Sequence, residues 1–487
     1  MMKKYSDNCL QAYFTNAQDI RMTMIELLGD TTGKTLIEPC FGEGAFITNL
    51  IGKPSLIDAI DIDQDHFKNK PDIPNCNFHN LDFIDYFIHT ESCNKTLPSN
   101  YDATICNPPY GLKFTKEYRK EIKNKFPNTY ARESYGLFFH FTVSLLKGNG
   151  RYVFVIPDSF MTSRNLIHMR KFIINNAKPT HIIQFKSRRF ESVNFGYGNM
   201  CIIAGNKNSL KNDDKIIWID AISSNKKLSE LLTQSDTLVD GKYLIDSHSD
   251  AWIHPESKNS INFSRSTVTL NDLADCKTGI YTGDNERFCG YDMTYPPKRI
   301  NGHPVNWGKQ VILHPTQDEK DTGLNIDNGY VPFVRGGHRE PFELTRSCIR
   351  WDKESIHYYQ NNKKARLQNK NFYFKKGLAI PMVTSGRLSA SEMENSIFDQ
   401  GVVGVFPKDD TYHDFLLLYL NHPISTKLKN IIAPGANNSA NYLKKITIPS
   451  VTKSELETAS IIVKKARETG WISCEKERND FIEKIIS

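Results

Sequence analysis

Over its first two hundred residues the chain alternates short β-branched or aromatic runs with stretches of helical spacing, a rhythm that points to a doubly wound α/β sheet. The expected strands are 35–37, 55–61, 77–78, 103–105, 151–156, 181–183 and 200–204. The expected helices include Ile20 to Leu28, Ala45 to Ile51 and Leu137 to Leu146, the last stopped by Lys147-Gly148-Asn149-Gly150. At 487 residues the chain is too long for one core. From Gly205 to about Phe263 it turns polar, with one further strand expected at Ile216 to Ile219; irregular periodicity then suggests a mixed α/β domain. From Ser454 onward, Ile461, Ile462, Ile482 and Ile485 recur at helical spacing. The division expected is 1–235, 236–453 and a helical segment 454–487.

The strand at 103–105 runs into Asn107-Pro108-Pro109-Tyr110. The two prolines remove backbone donors and hold the turn extended, so nearby carbonyls are left as acceptors. Asn107 adds a side-chain acceptor, and Tyr110 adds an aromatic face. Acceptors beside a ring suit a planar amine such as the 6-amino group of adenine. A stiff turn after a strand is the plainer reading of the four residues alone.

The first strand leads into Glu38-Pro39-Cys40-Phe41-Gly42-Glu43-Gly44, where Gly42 and Gly44 allow a tight turn and close approach to a ligand. The next strand ends at Asp61-Ile62, about where a ribose hydroxyl is caught in nucleotide-binding sheets. A third acid, Asp82, follows the next short strand and precedes Phe83. There is no full Gly-x-Gly-x-x-Gly, and Glu38 would repel a pyrophosphate. Carboxylates at three strand tips suit a cofactor with hydroxyls, amines and a cationic centre, such as S-adenosylmethionine, better than NAD or ATP.

Together these segments resemble the gamma-type (Taq-type) DNA N6-adenine methyltransferases of restriction-modification systems, with a target recognition domain at the C-terminus. The resemblance covers residues 10 to 205. It implies a Rossmann-like S-adenosylmethionine-dependent methyltransferase domain followed by a mixed α/β recognition domain. Gln11 to Thr15 looks like the class's N-terminal motif, which implies that Thr15 helps bind the methionine end, although Asn16 stands where the class has proline. The resemblance further implies that Glu38 neighbours the methionine amino group, with Cys40, Gly42 and Gly44 in the cofactor loop. Asp61 then takes the ribose hydroxyls, Asp82 with Phe83 holds the cofactor's adenine, and Ile62, Asn107 and Pro109 are further cofactor-binding residues. Asn107 and Pro108 grip the target amine, Tyr110 stacks on the flipped base, and Phe190 or Phe195 supplies the second face, with Tyr197 a further choice.

In the C-terminal half, Lys277 to Phe288, Val331 to Gly337, Leu417 to His422 and Ala433 to Asn437 resemble recurring elements of restriction-modification specificity domains. Arg335, His338, Arg339 and Arg387 are candidates for DNA contact. Lys and Arg gather at 164–189, and again at 363–376 among Phe372, Tyr373 and Phe374, which suits phosphate contact with stacking.

Ten cysteines stand without a Cys-x-x-Cys or a zinc-like spacing, so neither disulfides nor a metal site is expected. The N-terminus has no signal-peptide core, and no run approaches the ~20 apolar residues of a membrane span. The expectations are a cytoplasmic monomer acting on double-stranded DNA without membrane contact; if DNA cleavage is coupled to it, a separate cognate restriction endonuclease is expected to supply it. The rival readings are cytosine-N4 methylation, protein glutamine N5-methylation, in which Asn-Pro-Pro-Tyr also grips an amide, and a DNA-binding module without catalysis.

Overall fold

The computed structural model describes residues 4–5, 17–68, 72–89, 97–190, 199–234, 237–249, 251–255, 261, 263–292, 306–309, 311–337, 339–384, 386–433 and 437–487. It divides into two compact units, Met1–Glu256 and Ser257–Ser487.

The first unit is built on a nine-stranded sheet. Its strands are β1 (Thr35–Glu38), β2 (Leu56–Asp61), β3 (Cys76–Asn80), β4 (Tyr101–Cys106), β5 (Leu146–Pro157), β6 (Lys178–Lys186), β7 (Asn199–Asn206), β8 (Lys215–Asp220) and β9 (Leu238–Asp240), in the order β3-β2-β1-β4-β5-β7-β6-β8-β9. Strands β3 to β5 across the sheet are parallel, and β7 enters antiparallel between β5 and β6. The central strands are buried nearly throughout, as expected of a sheet covered on both faces. The order reverses between β1 and β4, which opens a crevice at their carboxyl ends.

One carboxylate pins this half of the sheet. Asp58, on β2, accepts from Tyr101 Oη at 2.7 Å, lies 2.7 Å from His79 Nε2 and accepts from Asn77 Nδ2 at 3.2 Å. Burial alone would raise its carboxyl, but these bonds hold it below the usual range.

The helix expected at 45–51 is only a short 3-10 turn, Ile47–Asn49. Thr48 Oγ1 donates to the Gly44 carbonyl and Asn49 Nδ2 to the Ala45 carbonyl, each at 2.9 Å. Asn49 Nδ2 takes the carbonyl that the Asn49 N–H would use in a regular helix, and that N–H bonds to the Phe46 carbonyl instead at 3.0 Å. The helix expected at 137–146 is present as Ser134–Leu145, and β5 begins directly after it.

The sequence sets a boundary at 235/236, whereas the first compact unit extends to Glu256. Strand β9 pairs antiparallel with β8, and the buried Trp252 belongs to the first unit's core.

The second unit has sheets of two, four and five strands. Helices His413–Asn421, Lys453–Thr469 and Glu475–Ile486 share a core with the four-stranded sheet, where Ile462, Val463, Ile482 and Ile485 lie beside Leu416, Leu420 and Val405. The segment 454–487 is therefore part of this unit's core.

Candidate active site

The register brings the singled-out tips to one edge. Glu38 pairs with Ala59, Asp61 with Asn80, and Cys106 with Phe154, so Glu38, Asp61, the 80–82 turn and Asn107 sit at neighbouring carboxyl ends. Glu38 is 2% exposed, and neither of its carboxylate oxygens has a hydrogen-bond partner among the described residues. Burial first, and the charge of Asp61 second, push its carboxyl well above the usual range. A buried carboxylate without a donor is costly, and its environment suits a cationic or hydrogen-bonding group.

The loop after β1 is tied across to β2. The Gly42 N–H donates to Asp61 Oδ2 at 2.8 Å, the Asp63 N–H donates to Oδ1 at 2.9 Å, and His66 lies 3.1 Å from Oδ1. Gly42 and Gly44 have φ of +54° and +75°, and a Cβ at Gly44 would lie 2.7 Å from the Phe41 ring. The turn thus depends on glycine geometrically and sterically. Cys40 sits in the same loop; burial, then Cys106, raises its thiol. Ile62 is exposed beside Asp61.

Asp82 caps the helix Phe83–Ile88, accepting the Asp85 N–H at 3.1 Å, and its other oxygen accepts from Tyr5 Oη at 2.9 Å. Burial raises its carboxyl. Phe83 is buried, stacked 5.4 Å from Phe138.

At the end of β4, Asn107 is 9% and Tyr110 only 2% exposed. The Tyr110 hydroxyl bridges Asn107 Oδ1 and the Val155 carbonyl, the latter at 2.8 Å. Pro108 is buried, and the Pro109 carbonyl accepts from Ser134 Oγ at 2.6 Å. Ser134 and Val155 brace the proline turn, and the sequence reading missed both. Ser134 is the first residue of an apolar helix, where a lone hydroxyl carries no distinguishing pattern.

Phe190 is buried and stacked on Phe185 at 6.2 Å. Thr15, Phe195 and Tyr197 lie outside the described residues, as does His338.

The stretch that holds all of these tips matches a known sequence family. Residues 15–190 match the Eco57I restriction-modification methylase family. The chain is 26% identical over 287 residues to the type II methyltransferase M.AccI of Acinetobacter calcoaceticus, covering 54% of this chain and 49% of the relative. It is 29% identical over 316 residues to M.HincII of Haemophilus influenzae, covering 63% and 56%. The chain thus spans about half the length of the curated relatives it matches. The solved type IIL restriction-modification enzyme MmeI in complex with DNA is similar in fold, with a TM-score of 0.51 and 12% identity, covering 97% of this chain and 72% of that one.

The basic runs of the sequence are used differently within each unit. Arg170 is fully buried and donates to the carbonyls of Phe160, Ser163 and His248, while Arg189 pairs with Asp19 and Lys178 with Asp214. These three cations are structural. In the second run, Tyr373 and Phe374 are buried in the core, and Lys375 lies over the half-buried Phe372 at 5.4 Å.

In the second unit, Arg339 donates to Ser391 Oγ at 2.7 Å, and its guanidinium is pushed down to about 10 by burial. Arg387 is exposed. Both line a cleft of about 750 Å³ with Arg478, which lies 3.8 Å over the Trp471 ring. The sequence marked Arg478 and Trp471 only as parts of a closing helix. Among the described residues no helix is long and apolar enough to cross a membrane.

Proposed function

We infer that the protein is a sequence-specific DNA methyltransferase of a restriction-modification system, acting on N6 of a flipped adenine with S-adenosylmethionine. The observation that carries this reading is the buried Glu38 carboxylate, without a hydrogen-bond partner among the described residues, one strand from Asn107-Pro108-Pro109-Tyr110 on the same sheet edge. The match of residues 15–190 to the methylase family supports it.

The donor set fits the cofactor. Glu38 would hold its ammonium, supplying the charge partner that burial denies the carboxylate. Asp61 would accept ribose hydroxyls on the lone pairs left by Gly42 and Asp63, and the exposed Ile62 would give the adenine an apolar surface. Bound there, S-adenosylmethionine supplies an electrophilic methyl group on a sulfonium centre.

The chain's own part is positioning and charge stabilisation. The exocyclic amine of adenine is a poor nucleophile because its lone pair is conjugated into the ring. Asn107 Oδ1 has two lone pairs, so it can accept an amine N–H beside the Tyr110 hydroxyl. With the Pro108 carbonyl accepting the second N–H, the nitrogen is drawn toward pyramidal geometry and its lone pair is freed. The same oxygens stabilise positive charge as it develops there, and the proton is then lost readily without a strong base. A base held in a duplex must first be flipped out, at a cost of a few kcal/mol. Stacking on Tyr110 offsets that cost once the ring is uncovered, with Phe190 or Phe195 on the other face.

The second unit would read the DNA word, with Arg335, Arg339 and Arg387 as candidate contacts. Double-stranded DNA is then the partner, a monomer the working form, and a separate endonuclease the cognate nuclease. The test is to incubate the full chain with methyl-labelled S-adenosylmethionine, unmethylated genomic DNA and bulk protein. Label in DNA supports the reading; label in protein alone favours glutamine methylation and overturns it.

A further inference from the structure

A second cleft in the first unit, of about 590 Å³, is lined by Lys116, Arg119, Lys120, Lys123, Arg132 and Arg164. No carboxylate lines it, and among the described residues none of the six cations makes an ion pair. Four of them belong to the helix Lys116–Lys125. Positions 116, 119, 120 and 123 recur at three- and four-residue spacing, so they form one cationic stripe, while Tyr118 and Ile122 are buried on another face.

This stripe is electrostatically costly. Lys116 is at the first helical position, where the macrodipole disfavours positive charge, and the pairs 116/120 and 119/123 set like charges one turn apart. Of the two acids on the helix, Glu121 lies 2.9 Å from His89, and neither acid lines the cleft. Folding alone gives no reason to gather these charges, whereas an anionic partner does.

The cleft is mechanically joined to the candidate active site. Its wall at 127–132, which includes the half-buried Tyr130, runs directly into Ser134, whose hydroxyl holds the Pro109 carbonyl. Arg164 follows the carboxyl end of β5, on the edge that carries Asn107. Cations with an aromatic neighbour suit phosphate contact with stacking.

We propose that this cleft grips the phosphodiester backbone of the substrate DNA, positioning the strand whose base enters the Asn107 site. The proposal rests on the DNA-methyltransferase reading above. The test uses the full chain, comparing wild type with Lys120→Glu/Lys123→Glu and with a control, Lys34→Glu/Lys53→Glu, at the opposite, amino edge of the sheet. DNA affinity and methylation are followed from low to moderate salt, and cofactor binding is measured without DNA.

The expected result is a KM for DNA raised about tenfold or more in the cleft variant, with the log-log salt slope shallower by about 2, as for two lost phosphate contacts. Cofactor affinity and kcat at saturating DNA in low salt stay near wild type, and the control variant behaves as wild type. An active wild type whose cleft variant keeps the same KM and salt slope overturns the cleft proposal alone. A wild type that binds cofactor but neither binds nor methylates DNA overturns both readings.

Discussion

The backbone N–H of Gly42 donates to Asp61 Oδ2 at 2.8 Å, so the glycine loop after β1 is held in place by the acid at the tip of β2. Asp61 serves the loop and, in the proposed function, the ribose. Asp61→Ala removes acceptors from Gly42 and Asp63 and the proposed ribose contact together. A loss of about 2 kcal/mol, roughly 30-fold in cofactor affinity, is expected by calorimetry. Asp61→Asn keeps one acceptor oxygen and should lose less.

Glu38 gives a pH signature. Its carboxyl in the folded state lies well above the unfolded value because of burial and then Asp61. Its contribution to stability is therefore fully present below the ordinary carboxylate range and is lost as pH rises through the raised value. Glu38→Gln should flatten this decline, melting a few degrees higher than wild type at neutral pH without cofactor, each 1 kcal/mol being about 2–4 °C for a domain of this size. The same variant should lose cofactor affinity, detectable as the absence of a cofactor-induced rise in melting temperature.

Arg170 separates charge from function. Its guanidinium is fully buried and satisfies three backbone carbonyls at 2.7 to 2.8 Å. Arg170→Ala should destabilise the first unit by about 3 kcal/mol or more, leaving buried carbonyls without donors, as chemical denaturation would register. Arg170→Lys should recover only part, because an ammonium cannot reproduce the guanidinium fork. DNA affinity per folded molecule should not change.

The lesson for sequence reading lies in which residues were legible. Strand tips were: the alternation of apolar runs located β1 to β8, and the sheet's parallel register then brought Glu38, Asp61, Asp82 and Asn107 to one edge. Local competition was not. The pattern at 45–51 looks helical until the Asn49 side chain takes the Ala45 carbonyl and its N–H turns to Phe46. Charge runs misled, because adjacency in sequence does not decide which cations a fold buries: Arg170 went inside, while the 116–123 stripe showed itself only once the helix and the Arg132 and Arg164 loops met. Tyr110 expresses a similar limit, since its type suggests an open stacking face but the fold buries the ring and uses its hydroxyl.

Asn107 and Tyr110 should part company on mutation. Asn107→Ala removes the side-chain acceptor for the amine and should lower kcat by at least about 10²- to 10³-fold with cofactor affinity within a few-fold of wild type. Tyr110→Phe keeps the ring but removes the hydroxyl between Asn107 Oδ1 and the Val155 carbonyl. It should cost about 1 kcal/mol of stability and a smaller share of kcat, resolved by single-turnover kinetics beside thermal unfolding.

The most direct test of the central claim is nucleoside mass spectrometry of unmethylated genomic DNA after incubation with the full chain and S-adenosylmethionine, run beside the Asn107→Ala variant. The account predicts N6-methyladenine with wild type and none above background with the variant. N4-methylcytosine as the product, or DNA left unmodified by a wild-type chain that binds the cofactor, would contradict it.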